Sequence, residues 1–288
     1  MPELPEVETT VNCLRPKILG RKIKSVWTDW PKIVGNITFS GLNKALKGKK
    51  FTDIRRRGKN ILIEADKKMT LWIHLKMTGH LLLRPAKISK GSPLLEKVNQ
   101  YIHFRFALDK NEELAFSDLR KFGRVRYFPE PITDSLIANN FSDLGIEPFD
   151  KKFTEKYLAK LARNRKNRSR QLKIFLMDQG IIAGIGNIYA SEIAFKAKLN
   201  PKRKMSGLSE NEIKALHSAI GKILKKAVAV RGTSVSDFRD PEGKPGSYGK
   251  IRQVYQRKGQ PCLNNCGTVI MSFKQGQRTT FWCPRCQK

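Results

Sequence analysis

Residues 262–286 read CLNNCGTVIMSFKQGQRTTFWCPRC, and they hold four of the chain's five cysteines as two close pairs. Three residues separate Cys262 from Cys266, sixteen residues follow, and two residues separate Cys283 from Cys286. Two short pairs at this separation can bring four thiolates around one tetrahedral Zn²⁺. Two disulfides or four unrelated buried cysteines are the alternatives, but the chain has no segment resembling a secretory signal. We therefore expect one structural zinc ion at these four cysteines.

The stretch between the two cysteine pairs contains GQRTTF at 276–281, which predicts the turn of a two-stranded hairpin with Arg278 near its tip. A hairpin this small buries little apolar surface, so the metal supplies its stability. An arginine held rigidly on a strongly basic chain predicts a contact with phosphate.

The composition points to a polyanionic partner. The 288 residues include 57 Lys and Arg against 25 Asp and Glu, for a net charge of +32. Nucleic acid is the leading candidate. An anionic membrane surface is the weaker one, because no basic amphipathic helix with an aromatic face is recognisable. No apolar run approaches the roughly 20 residues of a membrane span. We expect a cytoplasmic monomer that does not associate with membranes. Cys13, the fifth cysteine, is expected to be a packed residue of a helix.

The order of periodic patterns predicts an α+β chain. A helix is expected over 5–19, where Val7, Val11, Leu14 and Ile18 recur at helical spacing. Short strand-like runs follow from 22 to 128, which favours a β-sandwich or a barrel. The second half of the chain is predicted to be helical. It includes a helix that begins at a capping box formed by Ser209 and Glu212 and runs to about Val230.

We expect four segments: an N-terminal β-sandwich domain with a leading helix over 1–130, a linker over 131–150, a helical domain over 151–250, and a zinc hairpin over 251–288. The segment 151–173 contains ten basic residues and one acidic residue. A solvated helix face and a polyanion-binding surface are both open for that segment.

The amino terminus carries a second chemical signal. Initiator methionine is normally removed before a small residue such as proline, which would leave Pro2 as a free secondary amine. An α-amino group has a pKa of about 7.7–8.0, so part of it is unprotonated near neutrality and can attack an aldehyde carbon. Glu3 and Glu6 lie beside it and could move protons. The alternative is that Pro2 and Pro5 only start a helix, with the carboxylates favouring its dipole.

The opening octapeptide MPELPEVE, at 1–8, resembles the start of bacterial formamidopyrimidine-DNA glycosylases. That family removes oxidised purines from DNA and nicks the abasic site that results. The resemblance implies that Pro2 is the nucleophile and that Glu3 is the general acid that helps open the sugar. It extends over nearly the whole chain through four further motifs.

Two of these motifs lie in the β-rich half. The sequence RRGK at 56–59 resembles a family hairpin, which implies that Lys59 contacts phosphate and transfers a proton during elimination. The sequences HLKMTG at 74–79 and DLRKFG at 118–123 resemble the loops that fill the gap left by a flipped nucleotide. The family residues in those loops correspond to Met77, Arg120 and Phe122. Without the resemblance, a position in the core is the favoured interpretation for Met77 and Phe122.

The next motif, DQGIIAGIGNIYA at 178–190, resembles the helix–two-turns–helix element of the family. Its Gly184 and Gly186 permit a tight turn, and we expect Asn187 to cap the following helix. A glycine-rich turn into a helix N-terminus is an anion site, so Asn187 is predicted to hold a backbone phosphate. Arg168 and Lys173 precede the element and are expected to extend this phosphate track. In the last motif, the zinc hairpin, Arg278 matches the phosphate-binding arginine of the family.

Two departures from the family pattern are visible. The first cysteine pair is separated by three residues where the family usually has two, which affects the local loop more than the metal. Tyr101 stands where many relatives have a histidine. A DNA contact at position 101 would therefore be made by a tyrosine instead of a histidine. The segment 231–246 resembles the loop that covers the flipped base and fits a mobile lid.

The resemblance implies a bifunctional DNA glycosylase and abasic-site lyase that acts on duplex DNA containing oxidised purines. It needs no cofactor besides structural zinc. One alternative is an endonuclease VIII-type enzyme for oxidised pyrimidines, against which Leu4 argues because that group typically has glycine there. The other is a non-catalytic, zinc-bearing DNA-binding protein.

Overall fold

The computed structural model describes residues 1–234 and 237–288. The chain forms two compact units, and each consists of two stretches of sequence. The first unit contains Met1–Ser142 and Val230–Gly249, and the second contains Asp143–Ala229 and Lys250–Lys288. Val235 and Ser236, which belong to the predicted lid at 231–246, lie outside the described residues.

The first unit is a β-sandwich preceded by a helix. Its helices are α1 (Leu4–Ile18), α2 (Phe39–Leu46) and α3 (Asp134–Asn140). Its strands are β1 (Ile23–Thr28), β2 (Phe51–Arg57), β3 (Asn60–Ala65), β4 (Met69–His74), β5 (His80–Pro85), β6 (Ile102–Leu108), β7 (Glu112–Ser117) and β8 (Arg124–Phe128). They form two antiparallel sheets in the orders β1-β6-β7-β5 and β2-β3-β4-β8.

One hydrophobic core joins the two sheets and α1. Ile61 and Ile63 of one sheet share it with Phe104 and Phe106 of the other. The helix contributes its predicted apolar face, Val7, Val11, Leu14 and Ile18, all of which are buried in the same cluster. Along β6 the buried residues alternate with more exposed ones, as the two-residue period of a half-buried strand requires, whereas every residue of β3 is buried. The predicted sandwich and its leading helix are therefore confirmed.

The second unit is helical and ends in a small hairpin. Its helices are α4 (Glu155–Arg163), α5 (Leu172–Met177), α6 (Asn187–Lys196) and α7 (Glu210–Ala229). The hairpin consists of β9 (Met271–Gln275) and β10 (Arg278–Trp282). The predicted capping box of α7 is present, because Ser209 N donates to Glu212 Oε2 at 2.8 Å and Glu212 N donates to Ser209 Oγ at 3.3 Å.

The two units differ from the predicted segments at one stretch in particular. We expected 151–250 to be one helical domain, whereas Val230–Gly249 belongs to the first unit. Backbone contacts explain the difference: Thr233 N donates to the Glu6 carboxylate at 2.7 Å, and Leu83 N donates to Pro241 O at 2.9 Å. In addition, α3 lies inside the predicted linker at 131–150. Among the described residues, no helix is long and apolar enough to cross a membrane.

Candidate functional site

The start of α1 is buried and tied to the rest of the first unit. Pro2 is buried, and Glu3 is only 3% exposed. Glu3 N donates to Glu6 Oε2 at 2.7 Å, while the other oxygen of Glu6 accepts from Thr233 N at 2.7 Å. The Glu6 carboxylate thus links the helix start to the segment that follows residue 230. A Cβ on Gly232 would lie 2.7 Å from Glu6 Oε1, so this approach requires glycine.

The electrostatics at this end of the chain favour a neutral amine. Burial lowers the pKa of the Met1 α-amino group below its ordinary value of 8.0, and the positive charge of Lys59 lowers it further. The negative charges of Glu3, Glu6 and Asp237 oppose the shift. An amine with a lowered pKa is unprotonated, and therefore nucleophilic, over more of the physiological pH range. The structure thus brings the chain start, Glu3 and Lys59 into one electrostatic neighbourhood.

Lys59 occupies the predicted tight hairpin turn between β2 and β3. Arg57 pairs with Asn60 across the turn, and Gly58 adopts a positive φ of 57°, as such a turn requires. Asn60 Nδ2 donates to Arg57 O at 2.8 Å, which closes the turn. Arg56 forms an ion pair with Glu8 of α1. Lys59 itself is only 8% exposed, so this turn residue is largely buried.

His74, at the end of β4, is a neighbour of Lys59 that the sequence did not mark as functional. Burial lowers its pKa to about 4, and the charges of Lys76 and Lys59 lower it too. The ring is therefore neutral at physiological pH, and its Nδ1 accepts from Lys76 N at 2.9 Å. This bond fixes the start of the loop that carries Met77.

Asp118 connects the two loops that carry Met77, Arg120 and Phe122. Its carboxylate accepts a hydrogen bond from Thr78 Oγ1 and another from Gly123 N, the latter at 2.7 Å. A Cβ at either Gly79 or Gly123 would lie 2.5 Å from the Phe116 ring, so both loops need glycine to pack there. Asp118 therefore has a positioning role that the sequence motif did not reveal.

The side chains on these loops differ in exposure. Phe122 is 45% exposed, and the guanidinium of Arg120 lies over its ring at 4.6 Å from the centroid. Met77 is half-buried, and so is Tyr101, whose carbonyl accepts from Asp118 N at 2.8 Å. An exposed aromatic ring beside a cation on a braced loop is suited to insertion between bases. Insertion by these residues remains a prediction.

In the second unit, the predicted glycine-rich turn leads into α6. Gly184 has a positive φ of 94°, and the Gln179 side chain spans the turn. Its Nε2 donates to Ile185 O at 2.7 Å, while its Oε1 accepts from Gly184 N at 2.9 Å. Gln179 thus fixes the turn from inside. Sequence reasoning missed this role, because a glutamine in a loop has no distinguishing spacing.

Asn187 lies at the N-terminus of α6, but it is not the cap that we expected. Gly186 is the N-cap, and Asn187 is the first helical residue. Because a glycine N-cap has no side chain, it cannot accept hydrogen bonds from the first backbone amides of the helix, and these amides donate to other partners. Asn187 Oδ1 is buried and, within the described part of the chain, has no hydrogen-bond partner. Because a half-turn of the amide exchanges its oxygen and nitrogen, the side chain can offer a donor at that position.

The two cations that were expected to extend the phosphate track have different environments. Arg168 is exposed. Lys173, in contrast, is 0% exposed, and its Nζ donates to Thr280 Oγ1 at 2.8 Å and to Thr279 O at 3.1 Å. Lys173 thus attaches α5 to β10 from within the unit, and its place in the phosphate track remains a prediction.

The zinc hairpin has its predicted tip. Gly276 and Gln277 both have positive φ, of 53° and 60°, which forms the two-residue turn between β9 and β10. Arg278 is the first residue of β10 and is exposed. A Cβ on Gly276 would lie 2.6 Å from Ile174 Cδ1, so the turn packs closely on α5. Lys173 and Gly276 together fix the orientation of the hairpin on this helix.

The four cysteine sulfurs fit one tetrahedral zinc ion. All four lie within 4.8 Å of one another, with Cys262 to Cys286 at 3.8 Å and Cys266 to Cys283 at 3.5 Å. Zn–S bonds of about 2.3 Å place tetrahedral sulfurs about 3.8 Å apart, whereas a disulfide needs about 2.05 Å. The geometry therefore favours zinc over two disulfides. The extra residue in the first pair is accommodated by a turn in which Asn265 has a positive φ of 51°.

Loss of one zinc ligand should remove the metal and leave the first unit folded. In Cys283→Ser we expect one equivalent of zinc to be lost, because a neutral hydroxyl replaces a thiolate in a site that has little apolar core of its own. Metal analysis by mass spectrometry measures the loss, and circular dichroism tests whether the β-sandwich persists. Cys13→Ser is the matched control and should retain zinc. Retention of zinc by Cys283→Ser would contradict the four-sulfur site.

Glu192 of α6 is the second residue in this unit that sequence reasoning missed. It is 0% exposed, and its carboxylate accepts from Gln253 N at 2.8 Å and from Val254 N and Tyr255 N at 2.9 Å each. Val254 packs with Cys262 and Cys283 and with Phe195 of α6. The segment that leads to the zinc hairpin is thus held against the helix that begins with Asn187.

Comparison with known proteins agrees with this architecture along the whole chain. The model of the formamidopyrimidine-DNA glycosylase N-terminal domain matches residues 1–125. The model of the H2TH domain of the same glycosylase matches 144–239, and a zinc finger found in FPG and IleRS matches 259–288. The first match covers the β-sandwich as far as the start of β8, the second includes the turn into α6, and the third covers the cysteine pairs.

Individual relatives cover the full length. The formamidopyrimidine-DNA glycosylases of Carboxydothermus hydrogenoformans and Pelotomaculum thermopropionicum are 41% and 38% identical to this chain, cover 100% of it, and are themselves covered to 100% and 99%. A solved complex of Lactococcus lactis Fpg with abasic-site DNA aligns at a TM-score of 0.85, with 32% identity and 99% of both chains covered. A complex of a point mutant of the same protein with Fapy-dG DNA aligns at 0.86, with 32% identity and 100% of both chains covered. The chain belongs to the formamidopyrimidine-DNA glycosylase family.

Proposed function

We propose that the protein is a base-excision repair enzyme that removes oxidised purines, 8-oxoguanine and formamidopyrimidines, from duplex DNA and then cleaves the abasic strand. The observation that carries this proposal is the buried chain start beside Glu3 and Lys59 in a chain of this family. Lactococcus lactis Fpg is described in complex with DNA that contains an abasic site or Fapy-dG, and we extend this partner to the present chain. We further propose that the enzyme works as a cytoplasmic monomer.

In the proposed reaction, the Pro2 nitrogen attacks C1′ of the flipped nucleotide once Met1 has been removed. The bond from C1′ to the base breaks, and the departing base takes up the proton that the amine loses. Glu3 then donates a proton to O4′ as the C1′–O4′ bond breaks and the sugar ring opens. The product is an iminium, which acidifies the hydrogen on C2′ because its positive charge accepts the electrons of the breaking C–H bond. Elimination of the 3′ phosphate and then of the 5′ phosphate leaves a one-nucleotide gap, and hydrolysis of the iminium by water breaks the C1′–N bond, which frees Pro2 and the sugar remnant.

Lys59 and Glu3 supply the proton transfers in this scheme. Lys59 is held by the β2–β3 turn and is proposed to contact the phosphate next to the damaged nucleotide and to move a proton during elimination. Glu6 holds the helix start in place through Glu3 N and Thr233 N, which keeps the amine oriented. Orientation of the nucleophile accounts for a large part of the rate in reactions of this kind.

The exposed loops and the second unit are proposed to hold the DNA. Met77, Arg120 and Phe122 fill the space that the flipped nucleotide leaves, and Tyr101 lies on the same loop network through Asp118. Asn187, Arg168 and Arg278 bind backbone phosphates, which carry no base identity. Lys173 takes part indirectly, by fixing the hairpin that carries Arg278.

Trapping with borohydride tests the proposal directly, because reduction of the iminium leaves a stable bond between the protein and the DNA. We expect a covalent adduct on Pro2 after incubation with 8-oxoguanine duplex, identified by peptide mass spectrometry. Parallel duplexes with dihydrouracil distinguish an endonuclease VIII-type preference. An adduct confined to Lys59 would reject the assigned nucleophile, and absence of any adduct together with tight binding would favour a non-catalytic DNA-binding protein.

A further inference from the structure

A basic surface on the second unit takes no part in the function proposed above. It consists of the exposed cations of α4, of the residues just before it and of the turn after it. We call it the α4 surface, and it comprises Lys151, Lys152, Lys156, Lys160, Arg163, Arg165 and Lys166. This surface corresponds to most of the basic run for which the sequence left two interpretations open.

The charges of the α4 surface are hardly compensated within the protein. Within residues 1–234 and 237–288, one of these seven cations has an ion-pair partner: Arg163 lies 3.2 Å from Glu210. Both side chains of that pair are mostly exposed, and exposed pairs of this kind contribute little. Seven cations within sixteen residues therefore repel one another, and a polyanion would relieve the repulsion by replacing their counterions.

The fold explains why these side chains point outward but does not explain their number. Thr154 caps α4 by accepting from Tyr157 N at 3.2 Å, and Leu158 and Ala162 bury the opposite face. The helix dipole favours cations only in the last turn, which accounts for Lys160 and Arg163. It gives no reason for Lys156 in the first turn or for the cations outside the helix.

The shape of the surface indicates which kind of polyanion it fits. A groove of about 440 Å³ runs between α4 and the start of α7, and its charged lining consists of four cations and two carboxylates: Lys156, Lys160, Arg163, Lys214, Glu155 and Glu210. The only apolar side chains in its lining are Ala159 and Ile213, and Ile213 is buried. Such a small apolar floor offers no pocket for the anchoring side chains that dominate protein–protein contacts. A row of flexible cations instead suits the evenly charged backbone of DNA.

We propose that the α4 surface is an auxiliary docking site for the DNA backbone away from the damaged nucleotide. This inference rests on the proposed function for its choice of partner. The groove is lined by α4 and α7 and includes none of Asn187, Arg168 and Arg278, the proposed phosphate ligands of this unit. Docking there adds a sequence-independent, salt-sensitive attachment, which keeps the enzyme on undamaged DNA between encounters with lesions.

Charge removal at the α4 surface tests this inference against a matched control. The test variant is Lys156→Ala/Lys160→Ala/Arg165→Ala. The control is Lys32→Ala/Lys44→Ala/Lys47→Ala, which removes the same charge from exposed positions of the first unit. Because each phosphate contact contributes about 0.9 to the slope of log K against log salt, we expect loss of three contacts to reduce the slope of the test variant by about 2.7 on long undamaged duplex. Its affinity at moderate salt should fall at least tenfold, and the control should change less than threefold.

Single-turnover base excision on a short lesion duplex with saturating enzyme should stay within twofold for both variants. Equal effects of the two variants would show that only total charge matters and would overturn the docking site, as would no effect of either. Loss of excision in the test variant would place the surface in the lesion site. Equal competition by poly-L-glutamate and DNA, at matched charge, would favour an acidic protein partner. If the wild type excises no lesion but the salt slopes differ as expected, the proposed function fails and the docking site stands.

Discussion

With one residue retained in front of Pro2, we expect neither base removal nor strand nicking, while binding of lesion-containing DNA persists. A preceding residue converts the Pro2 nitrogen into a tertiary amide, whose lone pair is delocalised into the carbonyl and cannot attack carbon. The loss should exceed a thousandfold in single-turnover rate, because the whole covalent pathway depends on this atom. Removal of the extra residue by a specific protease provides the control and should restore both activities.

Single-turnover rates of two further variants distinguish the role of the amine from the role of Glu3. Pro2→Gly leaves a primary amine that can still form an imine, so we expect partial nicking of a preformed abasic site. Glu3→Gln should impair base excision far more than that nicking, since its acid role belongs mainly to the first step. Unchanged base excision by the protein with the extra residue, verified by mass spectrometry, would reject Pro2 as the nucleophile.

The β-sandwich and the zinc site were predictable because their signals are periodic or closely spaced. The apolar residues Val7, Val11, Leu14 and Ile18 mark one face of α1, and all of them are buried in the core. The four cysteines were identifiable from spacing alone, and their sulfurs cluster as a zinc site requires. Local patterns of this kind are retained on folding because the elements they describe are contiguous in sequence.

The discontinuous first unit and the supporting residues of the site were not predictable in the same way. Val230–Gly249 joins the β-sandwich through backbone donors such as Thr233 N, and backbone donors have no sequence signature. Lys173 was predicted to extend the phosphate track, and its basic neighbours in the sequence gave no sign that its Nζ is buried against β10. Both differences arise from contacts across a long sequence separation. Asn187 was expected to cap α6, but the glycine before it has the N-cap position, and a choice between adjacent residues is decided by the geometry of the turn.

Replacement of Glu192 by alanine should destabilise the second unit more than any change on its surface. The substitution leaves Gln253 N, Val254 N and Tyr255 N without their acceptor, in a buried position for Val254 and in partly buried positions for the other two. Each unsatisfied buried donor costs about 1–3 kcal/mol, so we expect a loss of roughly 3 kcal/mol or more in the free energy of unfolding of this unit. At about 2–4 °C per kcal/mol, its melting temperature should fall by roughly 10 °C. Glu192→Gln should lie between, because its amide oxygen replaces only one of the two carboxylate oxygens.

Hydrogen exchange locates the effect. In Glu192→Ala the amides at 253–255 should exchange at least a hundredfold faster, while those of β3 in the first unit should keep their protection. Glu155→Ala is the matched control, since it removes an exposed glutamate from the start of α4 and should change stability by less than about 0.5 kcal/mol. Because Val254 packs against Cys262 and Cys283, loosening this segment should also weaken zinc retention. Unchanged exchange at 253–255 would mean that water replaces the carboxylate without cost, and Glu192 would then not fix the zinc hairpin to α6.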